Sequence, residues 1–213
     1  MQSGLLNSKT LAEAALALAQ RDSHLSEILK QHGRPPLWRR PPTFATLVRI
    51  ILEQQVSLRS ADAMYRRLNA ALKSISPETF LLAGEMRLRQ LGVTRQKTSY
   101  LLHLSSSVVE GGLRLRQLYR MTDTDAKETL MRIKGIGSWS ADVYLLMALR
   151  RADIWPAGDL ALAVAVKELH RLAHRPSTEE LERFAERWRP YRAVAARMLW
   201  QYYLAKRNTP NGS

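Results

Sequence analysis

The sequence predicts an all-α fold, and three observations carry that prediction. Apolar residues recur at helical spacing, as in Leu11, Ala14, Ala15 and Leu18 and again in Phe44, Leu47, Val48, Ile51 and Leu52. Sustained alternation of apolar and polar residues, the mark of half-buried strands, is nearly absent. Helix punctuation agrees with both. Ser76-Pro77 reads as an N-cap with proline at the first helical position, Ser177 with Glu180 reads as a capping box, and Gly92 and Gly111-Gly112 read as helix ends.

Taken in chain order, the pattern predicts helices over 9–20, 43–54, 58–73, 77–83, 86–91, 94–109, 123–133, 138–150, 159–174, 177–187 and 190–206. Between the first two lies Arg34-Pro35-Pro36-Leu37-Trp38-Arg39-Arg40-Pro41-Pro42, whose prolines remove backbone donors and keep the residues before them out of the helical region. It is expected to be a linker. The polar residues 208–213 are expected to fray.

A chain of 213 residues, 46% of them hydrophobic, can bury one substantial core or two smaller ones. Its 33 Lys and Arg against 19 Asp and Glu leave a formal charge of +14, which suits a polyanionic partner, nucleic acid first and an anionic membrane surface second. The absence of cysteine excludes disulfides, thiolate zinc sites, a cysteine nucleophile and an iron-sulfur cluster held by thiolates. No apolar run of about 18 residues and no signal-peptide pattern is present, so a cytoplasmic protein without a membrane partner is expected. His170 and His174 stand four apart, but no acid completes a metal or catalytic set, and a solvated helix face is the preferred reading.

Two stretches suggest chemistry. In Leu130-Met131-Arg132-Ile133-Lys134-Gly135-Ile136-Gly137-Ser138-Trp139-Ser140-Ala141, two glycines flank one apolar residue between helical patterns. Such a turn delivers the first amides of a helix, which have no internal acceptor, to whatever lies outside, and a phosphate suits them. A bare Gly-x-Gly is equally a plain interhelical turn. Further on, Ile154-Trp155-Pro156-Ala157-Gly158-Asp159 precedes a helical stretch, so Asp159 sits at a helix N-terminus, where dipole and amides favour the ionised carboxylate. It is either an ordinary cap or a carboxylate with chemistry to perform.

The full glycine string resembles the hairpin of helix-hairpin-helix DNA-binding proteins, with leucine, isoleucine, Gly-Ile-Gly and a Ser-Ala pair at matching positions over residues 130–143. With Phe44 to Ser57, Leu91 to Lys97, and Trp188-Arg189-Pro190-Tyr191-Arg192 followed by Ala195 and Leu199-Trp200, the chain resembles the 3-methyladenine DNA glycosylase II family, as a compact member, across nearly all of 40–205. The resemblance implies a two-lobed all-α fold with the active-site cleft between the lobes. Residues 1–57 with 175–213 are expected to form a terminal lobe, and 58–174 a central lobe holding the hairpin.

It also implies roles. Backbone amides at Gly135, Gly137, Ser138, Trp139 and Ser140 would hold a DNA phosphate. Carbonyls of Met131, Ile133 and Ile136 would hold a monovalent cation beside it; no cofactor is required for the chemistry. Asp159 would be the catalytic carboxylate, stabilising positive charge on the sugar as the glycosidic bond breaks. Gln55 would fill the gap left by the flipped nucleotide. Trp139 and Trp200 would line the base pocket, with Tyr144 and Trp38 as further aromatics, and indole faces favour cationic alkylated bases. Glu53 is either another pocket residue or an ion-paired helix residue. Bifunctional relatives carry a lysine at the position of Trp139, so hydrolysis to an abasic site without strand cleavage is expected.

The implied substrates are 3-methyladenine and 7-methylguanine, with 1-methyladenine, 3-methylcytosine and ethenoadenine further down, in damaged double-stranded DNA, acted on by a monomer. Two competitors remain: a non-catalytic DNA-binding hairpin module, and a glycosylase for oxidised or mismatched bases. An arginine-rich surface that includes some of Arg59, Arg66, Arg67, Arg95 and Lys97 is expected to supply phosphate contacts.

Overall fold

The computed structural model describes residues 4–208; the expected fraying beyond Asn208 lies outside them. Among the described residues the chain is helical, with an isolated antiparallel bridge between Leu5 and Arg151. The α-helices are α1 (Ser8–Arg21), α2 (Ser23–His32), α3 (Phe44–Glu53), α4 (Leu58–Leu72), α5 (Pro77–Gln90), α6 (Arg95–Val109), α7 (Asp123–Met131), α8 (Ser138–Met147), α9 (Leu160–Leu169), α10 (Thr178–Ala185) and α11 (Arg192–Asn208). Short 3-10 turns cover Leu115–Arg120 and Glu186–Trp188.

The helices start where side-chain oxygens can take up orphan amides. Asn7, Asp22, Ser57, Ser76, Thr94, Thr122 and Ser177 each accept from the first turn of the helix that follows, and Ser76 and Ser177 complete capping boxes. Gly84, at φ 66 and ψ 179, breaks α5 within its length, which is where the sequence separates a helix ending at 83 from one beginning at 86. Helix α2 and the 3-10 turns were not expected. The ten residues of α2 bury only Leu25 and Ile28, too sparse an apolar pattern for periodicity to register.

Two compact units result, one from the described residues of Met1–Arg39 and Leu145–Ser213, the other Arg40–Tyr144. This corrects the expected division of 1–57 with 175–213 against 58–174. Helix α3 buries Phe44, Thr46, Leu47, Val48, Ile50, Ile51 and Leu52 and packs on α4 and α6, so it is the core of the second unit. In the first unit α11 packs on α1, α2 and α9, which places α9 with the termini. The linker is non-helical, as the prolines require.

Candidate active site and DNA-binding hairpin

In the second unit, α7 ends at Met131 and α8 begins at Ser138, joined by the Gly-Ile-Gly turn. Ile136 N–H donates to the Ile133 carbonyl at 2.9 Å, closing the turn, and Gly135 takes φ +88. A Cβ at Gly135 would collide with the ring of Tyr100 on α6, so glycine is required there by backbone angle and by space alike. Ala141 N–H donates to the Gly137 carbonyl at 3.0 Å, which makes Gly137 the cap of α8. A glycine cap has no side chain to occupy the amides of Ser138, Trp139 and Ser140, unlike the Ser, Thr, Asn and Asp caps of other helices.

The hairpin is held from both sides. Lys127 on α7 pairs with the buried carboxylate of Asp142 on α8 at 2.8 Å, and the Ser138 hydroxyl donates to the same oxygen at 3.4 Å. Gln54, at the end of α3, donates from its side-chain amide to the Gly135 carbonyl at 2.7 Å and to Ser140 Oγ at 2.9 Å. Neither Gln54 nor Asp142 was expected; the doubled glutamine at the end of an apolar helix was the available signal, and its tertiary partner is what gives it a role.

Gln55 follows, exposed and at φ 57, a left-handed backbone that costs a non-glycine residue on the order of 1–3 kcal/mol. The turn is fixed by Lys97, whose ammonium donates to the carbonyls of Leu52 at 2.7 Å and Gln54 at 2.9 Å. The charge of Lys97 thus caps α3, and burial lowers its pKa. Arg67 donates to the Leu91 carbonyl and Arg66 pairs with Asp62, while Arg59 and Arg95 are exposed. Glu53 is held by both arms of the Arg40 guanidinium at 2.8 and 2.9 Å, the ion-paired alternative of its two readings. Trp139 is half-buried. Tyr144 is wholly buried; its hydroxyl has no hydrogen-bond partner among the described residues, and burial, with Tyr119 nearby, raises its pKa.

In the first unit, Asp159 caps α9. Its Oδ1 accepts from Leu162 N–H at 3.0 Å and from the indole Nε1–H of Trp200 at 3.1 Å, and the residue is 9% exposed. Trp38 packs edge-to-face on Trp200, with ring centroids 6.2 Å apart. Asp159, Trp200 and Trp38 therefore form one cluster, while Glu53, Gln55, Trp139, Tyr144 and the hairpin belong to the other unit. The His170 and His174 pair is dissolved because α9 ends at Leu169: His170 packs edge-on against His24, with centroids 4.1 Å apart, and His174 lies 3.6 Å from Glu180.

A family model described as HhH-GPD superfamily base excision DNA repair protein matches residues 48–190, from α3 through the hairpin and Asp159. The chain belongs to the HhH-GPD superfamily. Within it, the DNA-3-methyladenine glycosylase 1 of Schizosaccharomyces pombe is 28% identical over 204 residues, covering 90% of this chain and 87% of its own length. Among solved superfamily folds, an S. pombe 3-methyladenine DNA glycosylase in complex with abasic DNA superposes with a TM-score of 0.80 at 26% identity, covering 89% of this chain and 95% of its own. A DNA-3-methyladenine glycosidase from Bacillus halodurans superposes at 0.77 with 30% identity, covering 97% and 95%. Against one Bacillus subtilis relative, 28% identical, the match spans 64% of that protein's length. No helix among the described residues is long and apolar enough to cross a membrane.

Proposed function

We propose that this chain is a monofunctional DNA glycosylase that excises alkylated bases, 3-methyladenine and 7-methylguanine foremost, from double-stranded DNA and leaves an abasic site. The observation that carries the reading is Asp159, a buried carboxylate oriented by Leu162 N–H and the Trp200 indole beside a second indole. Bond breaking at the glycosidic carbon leaves positive charge on the sugar, and a fixed anion stabilises it without reorganisation. The same carboxylate accepts a proton from, or orients, the attacking water. Indole faces next to it suit the delocalised cation of an alkylated purine. The names of the similar proteins, 3-methyladenine glycosylases among them, support the same substrate class.

The hairpin supplies the grip. Amides of Gly135, Gly137, Ser138, Trp139 and Ser140 bind a backbone phosphate, and Gln55, on its rigid turn, fills the space left by the extruded nucleotide. The carbonyls of Met131, Ile133 and Ile136 lie at and just past the C-terminal end of α7, where the helix dipole favours a cation, so a monovalent ion fits there. Trp139 has no amine, so no Schiff base forms.

Single-turnover release of free bases from methylated DNA tests the reading. Asp159→Asn should lower the rate on the order of 10²–10³-fold while DNA binding persists. A wild-type chain that releases no alkylated base overturns it in favour of a binding module. Borohydride should trap no covalent protein–DNA adduct; an adduct overturns the monofunctional assignment.

A further inference from the structure

The chain buries a guanidinium that none of the roles above uses. Arg197 on α11 has no exposed surface, and its hydrogen bonds run to backbone carbonyls: Nη2 to Leu146 at 2.8 Å, Nη1 to Ala193 at 3.1 Å and Nε to Leu37 at 3.1 Å. Burial pushes its pKa down to about 10. Hiding a charge among carbonyls is costly compared with an apolar side chain of similar volume, so its presence calls for a function that an apolar side chain would not serve.

The bond to Leu37 supplies one. Leu37 directly precedes Trp38, which sits at φ 42 in the left-handed region and packs on Trp200, itself bonded to Asp159. One turn along α11, Gln201 holds the start of the same linker through the carbonyls of His32 at 2.8 Å and Arg34 at 3.4 Å. A proline-rich segment with no helical hydrogen bonds is thus fastened to α11 on either side of Trp200, and the Arg197 bond is the one next to the indole.

We infer that Arg197 is a positioning residue for the base site: by fixing the Leu37 carbonyl it holds the Trp38 ring against Trp200, setting the aromatic wall beside Asp159. This rests on the proposed glycosylase reading for its consequence but not for its geometry. Arg197 touches neither base nor sugar; it acts through Trp38.

The first measurement needs no substrate. The full chain is labelled with 5-fluorotryptophan, and the fluorine resonances of Trp38, Trp139, Trp155, Trp188 and Trp200 are assigned by single Trp→Phe substitutions. Arg197→Met should displace or broaden Trp38 and Trp200 while Trp155 and Trp188 hold, and Arg197→Lys should move them back toward their original positions. An unmoved Trp38 in a folded Arg197→Met protein overturns the inference.

The second measurement is single-turnover base release. Arg197→Met should slow it about ten- to a hundredfold at unchanged affinity for abasic DNA. Arg197→Lys combined with Trp38→Phe should cost less than the product of the two single effects, because both act on one ring. Where Arg197→Met does not fold, this cycle decides, and independent effects overturn the inference. If neither Arg197 variant folds, the inference is overturned too, since the guanidinium is then a requirement of the fold. A chain inactive throughout, but with the expected fluorine shifts, refutes the glycosylase reading and leaves the positioning intact.

Discussion

The N-termini of α8 and α9 are two helix ends provisioned in opposite ways. Helix α8 begins behind Gly137, which brings no side chain to accept from its first amides at the positive end of the helix dipole. Helix α9 begins behind Asp159, which satisfies Leu162 N–H with its own carboxylate and receives the Trp200 indole on the same oxygen. In the proposed function one end recruits an anion, and the other carries an anion and presents it to a cation that forms only during reaction. On that reading the same backbone electrostatics serves phosphate binding at one helix and charge stabilisation at the other, and the capping residue decides which.

Substitutions at the caps and their supports break this comparison to different extents. The largest effect belongs to Asp159→Asn. Asparagine caps a helix as well as aspartate does, so calorimetry should find the melting temperature nearly unchanged while base release falls on the order of 10²–10³-fold. A loss of stability matching the loss of rate would reduce Asp159 to a structural cap.

Next comes Gly135→Ala, which forces a Cβ toward Tyr100 at φ +88 and should cost about 2–3 kcal/mol, read as a fall in Tm of roughly 4 to 12 °C. In a Tyr100→Ala background the penalty should shrink to the backbone part alone; an unchanged penalty would show that the ring is not what excludes a side chain.

Trp200→Phe keeps an aromatic but removes the Nε1–H bond to Asp159. Hydrogen bonds to charged groups contribute about 1.5–3 kcal/mol, so base release should slow about ten- to a hundredfold, measured at saturating enzyme. The smallest effect converts one helix end into the other. Gly137→Asp should leave α8 slightly more stable yet weaken binding to undamaged duplex on the order of tenfold at low salt, with the difference closing as salt rises. Unaltered binding by fluorescence anisotropy would remove the α8 amides from the DNA contact.

Much of this is legible in the sequence alone. The Gly-Ile-Gly turn, the Asp159 and Ser76 caps, the capping box at Ser177 and the break at Gly84 are local, because each depends on residues within one helical turn of each other. What escaped the sequence is mostly long-range. Gln54 meets Gly135 across 81 positions, Lys97 meets Leu52 across 45, and Arg197 meets Leu37 across 160; side chains of ordinary polarity gain their roles from partners that spacing does not reveal. The unit boundary was misplaced for the same reason, since packing of α3 on α4 and α6 decides it.

By itself, then, the sequence determined an all-α chain with a glycine-capped helix behind a Gly-Ile-Gly turn and an aspartate-capped helix beyond it. Periodicity, capping and glycine conformations are properties of neighbouring residues, and they survive without tertiary context. Only the tertiary structure decided that Glu53 is neutralised by Arg40, that Lys97 caps a helix, and that Trp38 joins Trp200 at the Asp159 carboxylate through a linker held by buried Arg197. Burial and hydrogen-bond partnership set whether a charge is a contact, a cap or a brace, and both are fixed by how distant segments pack.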